Sequence, residues 1–209
     1  MLKIYESSEN KTFLDELNKR TNTDYKEVYR VVKAIIEDVK ANQDEALYRY
    51  TEKFDGAKLA TLEVTKDDMK KAYDRLDRDL LKTLIKAHDN IKDYHERFVK
   101  KSMTYKPNGE NIILGQIITP IEKVGIYIPG GKAAYPSTVL MNAVPAKIAG
   151  VKELIMVTPP DKEGKIKDSI LAAAYIAGVD RVFNMGGAQA IAALAFGTES
   201  VPKVYKITG

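Results

Sequence analysis

The sequence contains no cysteine. Disulfide bonds, thiolate metal sites and a thiol nucleophile are therefore excluded, and a chain without disulfides fits a cytoplasmic protein. No stretch approaches the roughly 18 uninterrupted apolar residues that a membrane-spanning helix requires. Residues 1–10 also lack the apolar run of a secretory signal peptide. We therefore expect a cytoplasmic chain that does not associate with a membrane.

Long blocks of one charge sign are also missing. The 33 basic and 29 acidic residues give a net charge of +4 and are mixed along the chain. Lys100 and Lys101 form only a short basic pair, and no nucleic-acid-binding motif accompanies the charge. This pattern is typical of a solvated surface, so we expect no nucleic-acid partner.

Histidine is scarce. His88 and His95 are the only two, and they lie seven residues apart on one predicted helix. That spacing separates them by about 10.5 Å along the helix axis, too far to share a metal ion. No His/Asp/Glu cluster has metal-ligand spacing, and no acidic pair stands out as general acid and base. The sequence therefore predicts no catalytic residue and no metal site in these 209 residues.

The first half is predominantly helical in its pattern. Asp24 and Glu27 resemble a capping box, and Asn42 could end the helix that follows in a left-handed conformation. Thr65 with Asp68 suggests a second helix start, and a longer helix is expected from about Asp77 to Val99. A short strand is predicted over Ile112–Ile118.

From Val124 onward, short apolar runs alternate with alanine-rich helical segments. The predicted strands are Val124–Ile128, Leu154–Thr158, Arg181–Asn184 and Val204–Thr208. The predicted helices are Ser137–Ala149, Ile166–Ala177 and Ala188–Phe196, each followed by a glycine suited to a helix C-terminus, namely Gly150, Gly178 and Gly197. This alternation favours right-handed βαβ units and a parallel sheet with flanking helices. Pro145 should kink its helix or end its regular hydrogen bonding.

The predicted fold class is therefore α/β. Residues 1–123 are expected to form a mostly helical N-terminal region with one short strand near 112–118. Residues 124–209 are expected to form an incomplete, Rossmann-like βαβ domain, truncated at its C-terminal end, because the last strand runs into Gly209 with no further element after it.

Two segments could carry chemistry. In Tyr127-Ile-Pro-Gly-Gly131 a strand ends at a glycine pair before a helix, with Ser137 a plausible N-cap. Glycines allow close backbone approach to a ligand, and a helix N-terminus attracts anions such as pyrophosphate. A tight turn without a ligand explains the same residues, since the G-x-G-x-x-G fingerprint is absent.

The segment Phe183-Asn-Met-Gly-Gly-Ala-Gln-Ala190 repeats the arrangement of strand, two glycines and helix. Gln189 falls in the first helical turn, where its amide could donate and accept hydrogen bonds to an amide or a ribose. A surface or capping role for Gln189 is the alternative. Two glycine pairs at the ends of two strands of one sheet favour a shared cleft.

These segments resemble the histidinol dehydrogenase family. The similarity rests on V-G-I-Y-I-P-G-G (124–131), P-S-T-V-L-M-N-A-V-P-A-K-I-A-G-V (136–151), V-F-N-M-G-G-A-Q-A-I-A-A-L-A-F-G-T-E-S-V-P-K-V (182–204) and A-N-Q-D-E-A-L-Y-R-Y-T-E-K-F-D (41–55). It extends over essentially the whole chain, and 182–204 is its most specific part. Gln43 is a departure, because relatives often have glycine there.

The resemblance implies oxidation of L-histidinol through histidinal to L-histidine with two NAD, in histidine biosynthesis. It also implies zinc and a homodimer whose active sites use both subunits. The tyrosine of Y-x-P-G-G and the glutamine of G-G-A-Q contact NAD in the family, which assigns cofactor binding to Tyr127 and Gln189. A third NAD contact is the asparagine of G-P-G-N, and this sequence stops at the first glycine, Gly209.

The family's acid/base pair and zinc ligands lie downstream of that motif. The 209-residue piece is therefore expected to be an inactive N-terminal portion of the enzyme. The alternative is a stand-alone, non-catalytic nucleotide-binding or interaction module. Dimerisation of the piece is left open.

Overall fold

The computed structural model describes residues 13–17, 25–109, 111–130 and 134–209. Residues 13–17 are helical. The longer helices are α1 (Lys26–Asp55), α2 (Lys66–Arg75), α3 (Arg78–Glu96), α4 (Pro136–Ile148), α5 (Asp168–Ile176) and α6 (Gly187–Phe196). The strands are β1 (Glu63–Val64), β2 (Met103–Tyr105), β3 (Leu114–Gln116), β4 (Lys123–Tyr127), β5 (Glu153–Thr158), β6 (Arg181–Asn184) and β7 (Lys206–Thr208).

The chain divides into two compact units, residues 1–34 and 35–209. In the first unit, Arg30 donates two hydrogen bonds to the Glu27 carboxylate one helical turn away. The second unit contains the sheet and all the residues that were singled out for function. The division predicted at residue 123 stays a prediction. Among the described residues, no helix combines the length and the apolar character needed to cross a membrane.

A five-stranded sheet organises the second unit, with strand order β1-β6-β5-β4-β7. The pairs β4–β5, β5–β6 and β4–β7 are parallel, as the βαβ pattern predicted. Strand β1 runs antiparallel to β6. The α/β class and the parallel sheet with flanking helices are confirmed. The two-residue β1 was not predicted, because a strand that short leaves no periodic signal.

The sheet is covered on both faces, which explains its continuously apolar strands. Along β5, Leu154 and Met156 enter one core with residues of α2 to α5, whereas Ile155 and Val157 enter a second core with residues of α1 and α6. All four side chains are fully buried. Because successive strand residues point to opposite faces, a parallel strand between two helical layers needs apolar residues at every position.

Several helix ends were predicted correctly. Thr65 caps α2 by accepting from the Asp68 amide, and Asp77 caps α3. The three predicted C-terminal glycines all have positive φ, namely Gly150 (89°), Gly178 (72°) and Gly197 (80°). Glycine has no Cβ to clash in this left-handed region, so it ends each helix without strain. The capping box at Asp24 lies outside the described residues.

One prediction about α4 needs correction. Ser137 is not its N-cap, since Tyr135 holds that position, Pro136 begins the helix and no side chain caps it. Proline suits this place because the first helical amides have no partner within the helix. Pro145 lies inside the helix, which continues to Ile148, and the kink or interrupted hydrogen bonding expected at Pro145 stays a prediction. The predicted strand at 112–118 is shortened to Leu114–Gln116, which pairs with β2 in a separate antiparallel hairpin.

The break in α1 falls one residue later than predicted. Gln43, not Asn42, leaves the helical conformation, with φ 49° and ψ −131°. Its Nε2 donates to the Lys40 carbonyl at 2.9 Å. Hydrogen bonds from Tyr50 and Arg49, which follow the break, and from Asn42, which precedes it, lower the pKa of the Asp38 carboxyl to about 2. The bonds from Tyr50 and Arg49 hold the two parts of the helix together around the strained residue.

Gln43→Gly should therefore raise the free energy of unfolding by up to about 1 kcal/mol, because glycine adopts this backbone conformation without a Cβ clash. Ala41→Gly is the matched control, and it should lower stability by about 0.5–1 kcal/mol because Ala41 is an exposed residue with ordinary helical geometry in the same helix. Urea unfolding followed by circular dichroism measures both. Equal destabilisation by the two glycines would show that Gln43 is not strained.

Candidate functional site

The site lies where three parallel strands end side by side. Tyr127 ends β4, Thr158 ends β5 and Asn184 ends β6. The registers place Tyr127 opposite Val157 and Thr158 opposite Asn184. The two segments picked out by sequence therefore meet at one edge of the sheet, the edge at which open α/β sheets bind ligands. Gly131 lies outside the described residues.

Pro159, directly after β5, separates the two glycine segments. A Cβ on Gly130 would overlap the Pro159 Cγ, and a Cβ on Gly186 would stand 2.6 Å from the Pro159 Cβ. Neither glycine has positive φ. Each is thus needed because the proline ring packs against its bare Cα. The two glycines therefore have a packing role against Pro159, which the sequence pattern did not indicate.

Tyr127 spans the end of β5 and reaches α6. Its phenol oxygen accepts a hydrogen bond of 3.1 Å from the amide of Gly187, the first residue of that helix. Gly187 has φ 64°, so here glycine is required for its backbone conformation. The bond fixes the Tyr127 ring against the start of α6, and it joins the two predicted cofactor-binding segments.

Gln189 occupies the first turn of α6 and is 1% exposed. Neither its Oε1 nor its Nε2 has a hydrogen-bond partner among the described residues. A Cβ on Gly187 would stand 2.7 Å from this Oε1, so the missing side chain makes room for the amide. A buried amide without partners costs about 1–3 kcal/mol. Each such group in a folded protein calls for an explanation, and a bound ligand or an ordered water would supply the missing partner.

The N-terminus of α6 is electrostatically open. Its N-cap is Gly186, which supplies no side-chain hydrogen bond, and no acidic residue lies in the first turn. The helix dipole and its amide N–H groups therefore stay uncompensated by side chains of the helix. Together with the buried amide of Gln189, this favours a ligand that combines negative charge with amide or hydroxyl groups.

A cavity of about 460 Å³ adjoins this edge, which we call the β5 cavity. Phe54, Asp55, Pro129, Pro159 and Lys162 are among its lining residues. The volume lies within the range of roughly 300–1,000 Å³ that is usual for small-molecule sites. Sequence reasoning missed Phe54 and Asp55 as functional candidates, because only the fold brings the end of α1 to the end of β5.

The described residues contain no group of three His, Cys, Asp or Glu side chains able to hold a metal ion. His88 pairs with Asp89 at 2.8 Å, and His95 packs edge-on against Tyr94. Both histidines thus have structural contacts on α3, remote in sequence from the strand ends.

Fold and site together define an α/β chain with a Rossmann-like parallel sheet and a candidate ligand site at its carboxyl edge. The histidinol dehydrogenase family model matches residues 18–209. A histidinol dehydrogenase from Clostridium acetobutylicum is 49% identical over 204 residues, which is 97% of this chain and 47% of the relative. One from Streptococcus mutans is 51% identical over 183 residues, 88% of this chain and 42% of the relative.

A crystal structure of histidinol dehydrogenase from Elizabethkingia anophelis superposes with a TM-score of 0.83 at 37% identity, covering 90% of this chain and 42% of that one. The chain therefore belongs to the histidinol dehydrogenase family. It spans less than half the length of these relatives.

The packing of Pro159 predicts a selective rescue. Gly130→Ala and Gly186→Ala should each lower stability by about 1–3 kcal/mol through overpacking. In a Pro159→Ala background, Gly130→Ala should become nearly neutral, since its nearest remaining proline atom is the Cβ at 3.4 Å. Gly186→Ala should stay destabilising, because the offending atom is that same Cβ, which alanine retains.

Double-mutant cycles from thermal unfolding give the two coupling energies. A rescue of both glycine variants, or of neither, would contradict the described packing around Pro159.

Proposed function

We propose that this chain supplies the NAD-binding part of a histidinol dehydrogenase, with Tyr127 and Gln189 as cofactor-binding residues. One observation carries the proposal. The Gln189 amide is buried without a partner at the carboxyl edge of a parallel sheet, directly beside the Tyr127–Gly187 hydrogen bond. The family identity of the chain agrees with it.

The site suits a dinucleotide for three reasons. The Gln189 amide can donate and accept hydrogen bonds at once, as a carboxamide or a ribose requires. The start of α6 has no acidic residue in its first turn, and besides the Gly187 amide that Tyr127 engages, its dipole attracts the charge of a pyrophosphate. The β5 cavity provides space for one end of an extended molecule. NAD, when bound, supplies the hydride acceptor, and the residues of this chain bind it and orient it.

The whole protein is proposed to oxidise L-histidinol through histidinal to L-histidine with two NAD, using zinc, as a cytoplasmic homodimer. The zinc ligands and the acid/base pair are assigned to parts of the protein outside residues 1–209. The described residues of this chain offer no group of side chains that would hold the zinc. The role of this chain is therefore to hold the cofactor, and the chemistry needs the remainder.

Gln189→Met tests the cofactor assignment with opposite effects on stability and binding. Replacing the amide by a side chain of similar length removes two buried unsatisfied atoms, so stability should rise by about 1 kcal/mol. NAD binding should fall at least about tenfold, because two hydrogen bonds to the ligand are lost. Thermal unfolding and saturation-transfer NMR at millimolar NAD measure the two quantities.

Tyr127→Phe should also weaken NAD binding, since it frees the Gly187 amide and releases the ring. Tyr205→Phe is the matched control, because Tyr205 is 66% exposed. Unchanged NAD affinity in both Gln189→Met and Tyr127→Phe would refute the assignment.

The purified 209-residue chain should not reduce NAD when L-histidinol is added, because the general base and the metal are assigned elsewhere. Absorbance at the NADH band measures this, with a full-length family member as positive control. Turnover by the 209-residue chain would disprove the proposed location of the catalytic groups.

A further inference from the structure

The loop between β2 and β3 contains the only Asn-Gly pair of the sequence, Asn108-Gly109. This loop joins Tyr105 of β2 to Leu114 of β3. Asn108 and Gly109 are exposed, and both have positive φ, 44° and 76°. Asparagine and glycine adopt this left-handed backbone more readily than other residues, which explains why the chain turns here. The turn thus places an asparagine side chain directly before a glycine nitrogen at an exposed position.

An Asn-Gly pair can react without help from any other protein group. The Gly109 nitrogen forms a bond to the Asn108 Cγ, the Cγ–Nδ2 bond breaks, and ammonia leaves with the proton of the Gly109 amide. Water then opens the resulting succinimide ring at one of its two carbonyls, which leaves aspartate or isoaspartate. A side chain on the second residue hinders the attack, and glycine has none. Asparagine is accordingly among the chemically labile residues of proteins.

The structure leaves this attack unobstructed. The Gly109 amide makes no backbone hydrogen bond with a described residue, so its nitrogen is not engaged elsewhere. A Cβ placed on Gly109 would meet no atom within 4 Å, which shows that the space around the glycine is open. An exposed turn with so few contacts opens locally at little cost in free energy, and this lets Asn108 reach the conformation that closes the ring.

The surroundings of other described asparagines oppose the same reaction. Asn90 and Asn142 lie inside helices, where the backbone is held by the hydrogen-bond ladder. The side-chain nitrogen of Asn42 donates to a carboxylate one helical turn earlier. Asn184 is 5% exposed, and its side-chain nitrogen donates to a backbone carbonyl. The loop between β2 and β3 is therefore the place where the fold itself permits the reaction.

We propose that Asn108 is a modification site, at which the native chain deamidates through a succinimide formed with Gly109. The product carries one additional negative charge, which lowers the net charge of +4 by one, and its iso form has a longer backbone at the turn. Met103, Tyr105 and Leu114 on the strands behind the turn are exposed apolar residues. The modification thus changes the charge and the shape at the tip of an apolar hairpin, independently of the cofactor assignment.

The test is prolonged incubation of the 209-residue chain at mildly alkaline pH, followed by ion-exchange chromatography and peptide mass spectrometry that separates aspartate from isoaspartate. Asn108 should convert at least about tenfold faster than Asn111, which shares the loop and its exposure but precedes the β-branched Ile112. Asn108→Gln should abolish the new acidic species, because its ring closure is unfavourable. Asn111→Gln is the matched control and should leave the rate at Asn108 unchanged.

Ile112→Gly tests the route itself, because it creates a second Asn-Gly pair in the same loop. The rate at Asn111 should then approach that at Asn108. A rate at Asn111 that does not rise in this variant would contradict attack by the following nitrogen. Thermal unfolding shows whether each variant keeps the fold of wild type.

A parallel incubation in guanidinium chloride separates the structural claim from the sequence motif. The unfolded chain should deamidate at Asn108 in any case, and the native chain should do so at a rate within about tenfold of it, because the turn imposes little protection. A native chain in which Asn108 stays intact while the unfolded chain converts would overturn the proposal. Equal rates at Asn108 and Asn111 in the native chain would overturn it as well.

Discussion

The arrangement of the site depends on the contact of one proline ring with two glycines. Pro159 lies at the end of the central strand β5 and packs against the bare Cα atoms of Gly130 and Gly186. This contact sets how closely the segments after β4 and β6 approach each other. At that separation the Tyr127 phenol meets the Gly187 amide at 3.1 Å, and α6 begins with Gln189 turned into the interior.

Around this rigid packing the chain leaves polar groups unsatisfied. The Gln189 amide and one oxygen of Asp55 are buried without hydrogen-bond partners among the described residues. Each costs stability that apolar residues of similar shape would restore. A protein selected for stability alone has no reason to retain them. Their position at the carboxyl ends of parallel strands, where ligands bind, connects the cost with binding.

Much of the scaffold could be predicted because its signals are local. The runs at β4, β5 and β6 are continuously apolar, and the glycines after α4, α5 and α6 stand where left-handed backbone is needed. Prediction failed for β1, because this two-residue strand exists only through its pairing with β6. At the start of α4 the local signal was Pro136, which suits the first helical position, and not Ser137.

The candidate site was predictable only in part. Tyr127 and Gln189 stand out because motifs surround them, and the structure brings both to one edge. Asp55 has no such motif, since its environment arises when the end of α1 reaches Pro159 from a distant part of the chain. The role of Gly130 and Gly186 against a proline likewise depends on contacts that no local pattern encodes.

The central claim is that the buried amide of Gln189 binds NAD, and its own NMR signal tests this most directly. The sequence contains only three glutamines, Gln43, Gln116 and Gln189, so their side-chain amide resonances can be assigned by single substitutions. On titration with NAD, the Gln189 resonance should show a saturable shift, while those of Gln43 and Gln116 should stay unchanged. A Gln189 resonance that does not move while NAD shifts signals elsewhere in the chain would contradict it.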